Sequence, residues 1–485
     1  MHYRPLCRGK TAQELGATTA AAMFIAAAYY PGNDSLIFSS VRPLIRSATA
    51  DWSVDSFPPE SLDYSRFDIL NFAFAVPNSS STLTWDDGSQ DSLQRLVSSA
   101  RSSGQGTKIV LSVGAYAIAW PNQTRVDVEH PGGWGGSTFF SQAVSTAANR
   151  ATFVSALSGA VSTFGLDGID IDWEYPNQAG AGNPFNPSDS ANLLLLLTSL
   201  RAALGTSKII SAAVTDLPWV GSDGNPLTDM SAYAAQMTYA NLMNYDIFGD
   251  WSPAPGPNAP LGNLCGTSTQ PQYSAEAAFS QWTAAKFPAS KLLLGLPLYG
   301  YVLNSTNTFL TGSFRSPDSI PENDKAQASD SASTSNGPVR GANKRPAQIP
   351  VPKPEVGPDG NAAQANLQSW WGQQIPFSSL VSSGALTIEQ LWWGRRFHGG
   401  YVSVTMTTEK VNSHPFRIEG WDDCSDTPFL FNTSQQTVVS YDDTFSLSDK
   451  AAFAKSSGMA GCFTWSLDQD DGVTLQDAIR TALGK

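Results

Sequence analysis

The 485-residue chain is poor in the side chains that most often bind metal ions. It has four histidines, which do not cluster, and four cysteines, none of them in a Cys-x-x-Cys pair. Metal motifs combine such residues at short, fixed spacings. The sequence therefore predicts no metal site and no cofactor.

Long apolar runs and positive charges are also scarce. No segment reaches the roughly 18 apolar residues of a membrane-spanning helix. The 29 lysines and arginines are outnumbered by 42 acidic residues, which gives a net charge of −13 and an isoelectric point near 4.7. This balance argues against a nucleic-acid partner. We expect a soluble, monomeric protein with no membrane partner.

Apolar residues, in contrast, are plentiful. They make up 41% of the chain and include 14 tryptophans and 24 phenylalanines, enough for a sizeable core. The length suits one large domain of the α/β-barrel kind with an insertion, or two domains.

The most informative stretch is FGLDGIDIDWEYP, residues 164–176. Its acidic residues Asp170, Asp172 and Glu174 fall at every second position, so on a β-strand they share one face. The large apolar residues between them belong on the other face, packed beneath helices. Buried acids cost several kcal/mol each unless they are paired, protonated or hydrogen-bonded, so we interpret the triplet as a functional site. A calcium-binding loop or a solvated strand face is the alternative.

Asp167, Asp170, Asp172 and Glu174 form a DxxDxDxE signature, and DGIDIDWEYP resembles the corresponding run of fungal chitinases of glycoside hydrolase family 18. The resemblance implies a (β/α)8 TIM barrel with an irregular insertion between strands seven and eight. It assigns residues 17–303 and 417–485 to the catalytic barrel. Residues 304–416 would be the insertion, which its Ser, Pro, Gly and Asn content predicts to be partly disordered.

The family template also gives approximate element positions. The first strand is AAAYYP, residues 26–31, and we expect helices at 150–164 and 189–204. The other seven strands are predicted at 67–76, 108–113, 166–173, 209–214, 241–246, 291–296 and 461–465.

The N-terminal segment has two interpretations. Basic residues precede a small apolar run that could be a signal peptide, and we expect a secreted protein. That run, however, ends in AAAYYP, which cannot be cleaved off if it is the first strand.

Three segments interrupt stretches of sequence that otherwise resemble the corresponding stretches of family members. They are residues 32–50 after Tyr30-Pro31, residues 115–132 after LSVG, and residues 402–416 before RIEGWDDC. One hypothesis is that they are retained introns or other gene-model errors. The alternative is true loop insertion at strand ends, where barrels accept extra residues.

The resemblance implies a role for each candidate site residue. Glu174 would be the general acid, with Asp172, Asp170 and Tyr245 as the other catalytic residues. The substrate's own 2-acetamido group would be the nucleophile, and Asp170 would share a proton with Asp172. The substrate contacts would come from Asp167, Gly133, Trp134, Met243, Asp246, Tyr299 and Trp465. For Tyr299, core packing is an equal alternative.

The implied function is hydrolysis of chitin or chito-oligosaccharides. The alternatives are an endo-β-N-acetylglucosaminidase acting on N-glycans, a catalytically impaired chitin-binding lectin, and a non-functional product. Related fungal chitinases also carry cysteines near the positions of Cys265 and Cys424, so a disulfide and two free thiols both stay open.

Overall fold

The computed structural model describes residues 24–31, 58–114, 137–180, 182–306, 314–315, 366–386, 417–432 and 435–485. The strands in these ranges are β1 (Ile25–Pro31), β2 (Ile69–Pro77), β3 (Leu83–Thr84), β4 (Lys108–Gly114), β5 (Gly168–Asp172), β6 (Ile209–Val214), β7 (Tyr239–Leu242), β8 (Leu292–Pro297), β9 (Tyr299–Asn304), β10 (Phe314–Arg315), β11 (Gln373–Pro376), β12 (Arg417–Asp422), β13 (Thr427–Asn432), β14 (Thr437–Ser440) and β15 (Gly461–Trp465). The helices are α1 (Ser89–Ser103), α2 (Phe140–Ser145), α3 (Ala147–Phe164), α4 (Asp189–Leu204), α5 (Ser231–Gln236), α6 (Ala275–Ala284), α7 (Phe377–Ser382), α8 (Thr444–Ser456) and α9 (Thr474–Leu483).

Eight parallel strands close into a barrel in the order β1, β2, β4, β5, β6, β7, β8 and β15, and β15 pairs back to β1. Helices lie between successive strands in the chain. The strands are nearly continuous apolar runs because one face packs on the helices and the other fills the barrel. The predicted (β/α)8 barrel is confirmed, and AAAYYP is part of its first strand.

The predicted strands match the observed ones closely except at strand six. The sequence predicted 241–246, whereas β7 spans Tyr239–Leu242. The chain leaves the sheet here, and four residues further on Asp246 adopts a φ of 59°, which is incompatible with a strand. This turn brings the MNYD residues to the barrel mouth.

Helix α3 positions the strand that carries the acidic triplet. The side chain of Thr146 accepts a hydrogen bond from the Asn149 backbone N–H at its start, and Gly165, with a φ of 65°, ends it. Such an N-cap contributes about 1 kcal/mol. Trp173, which directly follows β5, stacks on Phe140 of α2 with ring centroids 5.2 Å apart, so the apolar side of this segment packs against a helix as predicted.

A second, antiparallel sheet has the strand order β10, β12, β13, β14, β9, β11. A single residue, Leu298, separates β8 of the barrel from β9 of this sheet. The sequence-based division placed residues 417–440 in the barrel, but β12, β13 and β14 belong to the second sheet. Of these three strands, β14 pairs with β9, which lies more than 100 residues earlier in the chain, and local patterns do not specify which sheet a strand joins.

Several predictions concern residues outside the described ranges. These are the three interrupting segments 32–50, 115–132 and 402–416, and the predicted substrate contacts Gly133 and Trp134. No helix in the described part of the chain combines the length and apolar character that a bilayer crossing requires.

Candidate active site

Asp170 lies inside the barrel and accepts four hydrogen bonds. Tyr29 Oη and Ser112 Oγ donate to its Oδ2 at 2.7 and 2.8 Å. Ser211 Oγ and Asn241 Nδ2 donate to its Oδ1 at 2.7 and 3.1 Å. Burial raises the pKa of Asp170, and the hydroxyl donors oppose this rise. Since these donors use the acceptor positions of both oxygens, the carboxylate is held in one orientation.

Asp172 lies two residues further along β5, on the same face, and is 4% exposed. Its Oδ1 has no hydrogen-bond partner among the described residues. Burial, followed by the charges of Glu174 and Asp170, raises the pKa of Asp172 well above its usual range. Because Asp170 accepts four hydrogen bonds and Asp172 Oδ1 accepts none, a proton on this pair is held more favourably on Asp172.

Glu174 follows the carboxyl end of β5, at the mouth of the barrel. Its backbone N–H donates to Ser137 Oγ at 3.0 Å, which fixes the chain at this point. Burial raises the pKa of Glu174 to about 7; a hydrogen bond with Tyr175 opposes this rise and the charge of Asp246 adds to it. A carboxyl group with this pKa both donates and accepts protons near neutral pH.

Asp246 is fixed by hydroxyl groups from the second sheet. Tyr299 Oη and Tyr301 Oη both donate to its Oδ1, at 2.6 and 2.8 Å. Its backbone N–H donates to Asn258 Oδ1 at 2.8 Å. Although the residue is exposed overall, the surrounding protein limits hydration of its carboxylate and raises the pKa of Asp246. The hydrogen bonds from the two tyrosines partly offset this rise. The structure thus brings Tyr299 to the site as a hydrogen-bond donor to Asp246.

Aromatic rings surround the acids. The ring of Tyr245 meets Tyr299 edge-on at 6.2 Å, and burial together with the charge of Asp172 raises the pKa of its hydroxyl well above the usual range. Trp465, at the end of β15, is half-buried and packs on Tyr29 and Phe74 at 5.2 and 5.8 Å. Met243 packs in the same interior cluster as these rings.

Besides the four donors to Asp170, sequence reasoning missed three residues near Asp246. Tyr301 lies two positions after Tyr299, so strand alternation could have placed it on the same face. Gln374 of β11 donates to Tyr301 Oη at 2.8 Å, and no sequence signal indicated it. Trp251, 57% exposed, sets its ring edge-on to Tyr301 at 5.3 Å and adds an open aromatic surface.

The structure does not bring Asp167 to the site, which corrects its predicted role as a substrate contact. Asp167 precedes β5, roughly 17 Å from Asp172 along the strand. Its Oδ2 accepts from Arg101 Nη2 at 2.6 Å and from the Ile109 backbone N–H at 2.8 Å. It therefore joins α1 to β4 and β5 at the amino end of the barrel, opposite the acids.

A disulfide joins Cys265 to Cys424. It connects the loop that follows Asp246 and Trp251 to the turn between β12 and β13. The Leu261 backbone N–H also donates to the Ser425 carbonyl at 2.8 Å, so the loop is attached to the second sheet at two points. The sequence left open a disulfide or two free thiols at these positions, and the structure contains the disulfide.

Comparison with known proteins agrees with this architecture. A chitinase-like effector from Moniliophthora perniciosa is 30% identical over 442 residues, which span 89% of this chain and 85% of that protein. The crystal structure of a chitinase from Rhizomucor miehei superposes with a TM-score of 0.63 and 25% identity, covering 94% of this chain and 99% of that one. A chitinase from Cycas revoluta in complex with (GlcNAc)3 shares the fold with a TM-score of 0.60 at 19% identity, over 94% of this chain and 99% of that one.

The family model for glycosyl hydrolases family 18 matches residues 131–470, most of the chain and all of the acidic triplet. With the closed parallel barrel and the acids at its carboxyl end, this match shows that the chain belongs to glycosyl hydrolases family 18.

Proposed function

We propose that the protein is a chitinase that cleaves β-1,4 linkages between N-acetylglucosamine units with retention of configuration. The observation that carries the proposal is Glu174, a carboxyl group with a pKa of about 7 at the barrel mouth, two residues beyond Asp172, whose pKa burial raises well above its usual range. Cleavage of a glycosidic bond needs an acid that protonates the leaving oxygen, and Glu174 supplies that proton.

The nucleophile comes from the substrate in this proposal. Asp172 is buried, and burial raises its pKa and so disfavours the ionised form that would attack the anomeric carbon. The carbonyl oxygen of the substrate's 2-acetamido group attacks instead and forms an oxazolinium ion, as in substrate-assisted members of this family. The unpartnered Oδ1 of Asp172 accepts the acetamido N–H, and the Tyr245 hydroxyl donates to the acetamido oxygen.

The second step reverses the role of Glu174. Having lost its proton to the leaving group, it accepts a proton from water, which opens the oxazolinium ion from the face that the leaving group occupied. Two inversions give net retention. Asp170, whose carboxylate is held by its four donors, lies two residues before Asp172 on the same strand face.

Aromatic surfaces suit the flat faces of pyranose rings. Trp465 is half-buried beside Tyr29 and Phe74, which supports a role as the floor of the subsite next to the cleaved bond. Trp251 presents an exposed ring next to Tyr301, which offers a second surface for a sugar ring. The complex of the Cycas revoluta chitinase with (GlcNAc)3 supports a chito-oligosaccharide as the ligand here too.

The second candidate is a binding protein without turnover. Two relatives, both 30% identical, are named chitinase-like effectors, a name that does not assert catalysis. Glu174 is present in this chain, which favours the enzyme. An endo-β-N-acetylglucosaminidase would use the same acid on a different glycan. We also propose a secreted protein, because the Cys265–Cys424 disulfide is suited to an oxidising compartment.

The test is hydrolysis of chitotetraose and of an N-glycan by the 485-residue protein and by a version lacking residues 32–50 and 115–132. We expect chitotetraose cleavage and no release of N-glycan. In the active version, Glu174→Gln should lower kcat by about 10²-fold or more while leaving chitotetraose binding largely unchanged. Binding without cleavage in both folded versions would favour the second candidate. Selective N-glycan release would favour the glucosaminidase.

A further inference from the structure

Gln374 links the second sheet to the candidate active site. It lies on β11 directly opposite Tyr301 of β9 in the antiparallel pair. Its Nε2 donates to Tyr301 Oη at 2.8 Å and lies 3.5 Å from Asp246 Oδ1. One amide group therefore faces both the tyrosine hydroxyl and the carboxylate that this hydroxyl contacts.

The hydrogen-bonding capacity of Gln374, Tyr301 and Asp246 determines which group donates to which. An amide NH2 group donates only, so Tyr301 Oη accepts from Gln374 and must direct its own proton elsewhere. The acceptor within reach is Asp246 Oδ1, at 2.8 Å. The opposite amide orientation would place the carbonyl oxygen of Gln374 against the carboxylate of Asp246, which is repulsive.

We propose that Gln374 is a positioning residue of the active site: by donating to Tyr301 it makes Tyr301 donate to Asp246, and so keeps Asp246 ionised beside Glu174. This inference rests on the proposed function for its kinetic consequences only. A residue of the antiparallel sheet thus acts on the barrel's catalytic acid through two intermediates.

Charge carries the effect from Asp246 to Glu174. The charge of Asp246 raises the pKa of Glu174, as a general acid near neutral pH requires. The titratable groups that interact with Asp246 are Glu174, Tyr175, Tyr245, Tyr299 and Tyr301, and Asp250 acts on Tyr301. The tyrosines are neutral below pH 10, so near neutral pH the carboxyl groups alone change charge.

The experiment replaces Gln374 by Glu or Met and uses Gln373→Glu as the matched control. Gln373 is the preceding residue on β11, so its side chain points to the opposite face of the strand. There its Nε2 donates a hydrogen bond to the Ser369 carbonyl. An ionised glutamate accepts and does not donate, so Gln374→Glu redirects the Tyr301 proton and adds a like charge beside Asp246. Methionine removes the donor without adding charge.

The first measurement is Tm against pH, which needs no activity. The like charges repel only when both groups are ionised. The Tm of Gln374→Glu should therefore fall below that of Gln373→Glu as the pH rises from 4 to 8, and the two should agree in acid. Equal Tm values across the range would overturn the inference.

The second measurement is the pH profile of kcat/KM on chitotetraose. Gln374→Glu should move the acid limb, which reports ionisation of Asp246, to higher pH by about one unit. Gln374→Met should move it in the same direction by less. A uniform loss of activity with unmoved limbs would indicate a structural contact alone and would overturn the proposal. If the wild-type protein does not cleave the substrate, the proposed function fails, and the Tm comparison still decides this inference.

Discussion

The hydroxyl of Tyr29 donates to Oδ2 of Asp170 across the barrel interior, over 2.7 Å, and so ties the first strand to the strand that carries the acidic triplet. The two residues are 141 positions apart in the sequence. Replacing Tyr29 by Phe removes a donor to a buried carboxylate. We expect a loss of about 2 kcal/mol in the free energy of unfolding near neutral pH, measured by urea denaturation.

Tyr64→Phe is the control for this change. The Tyr64 hydroxyl is also buried, but it donates to a neutral acceptor, the Pro59 carbonyl, at 2.9 Å. Its loss should cost about 1 kcal/mol. If Tyr29→Phe costs no more than Tyr64→Phe, the carboxylate of Asp170 does not depend on this bond.

The pH dependence of catalysis should report Glu174. As a general acid it must be protonated, and its pKa is raised to about 7. We therefore expect kcat/KM on chito-oligosaccharides to fall about tenfold per pH unit above pH 7. A profile that stays flat to pH 9 would show that Glu174 does not supply the proton.

The stability of the protein should depend on pH through Asp172. Its folded pKa is raised well above the unfolded value of about 3.9, so the folded state binds more protons between the two values. The stabilising contribution is present at low pH and is lost as the pH rises through the folded pKa, by up to about 1.4 kcal/mol per unit.

The neutral analogue Asp172→Asn isolates this contribution. The variant should gain stability relative to the wild type between pH 5 and pH 8, as measured by urea unfolding at each pH. A constant difference over that range would contradict the assignment of the proton to Asp172.

Trp251 should contribute to binding and little to chemistry. Its ring is 57% exposed beside Tyr301. Trp251→Ala should weaken chitotetraose binding roughly threefold to tenfold in calorimetry, the range of aromatic contacts. Leu195→Ala, at a 48% exposed position on α4, is the matched control and should leave the affinity unchanged. Equal effects of the two changes would show that Trp251 does not contact the substrate.

Asp167 should affect stability and not substrate affinity. Its bonds to Arg101 and to the Ile109 backbone lie at the amino end of the barrel. Asp167→Asn should lower the free energy of unfolding by about 1–2 kcal/mol and leave KM unchanged. A raised KM at unchanged stability would restore its predicted role as a substrate contact.

The sequence by itself determined the local features. Alternation along one strand places Asp170, Asp172 and Glu174 on one face, and apolar runs match the barrel strands, because a strand's period of two is a property of the chain alone. The resemblance supplied the count of eight strands, and with it the carboxyl end where Tyr245 and Trp465 lie.

The tertiary structure decided which groups meet. It placed Asp167 with Arg101, brought Tyr301 and Gln374 to Asp246, and paired β14 with β9 across more than 100 residues. It also decided which aspartate holds a proton more favourably, since that depends on the donors that surround Asp170 and are missing at Asp172 Oδ1. Burial and hydrogen-bond partners come from segments far apart in the chain, so no local pattern of residues encodes them.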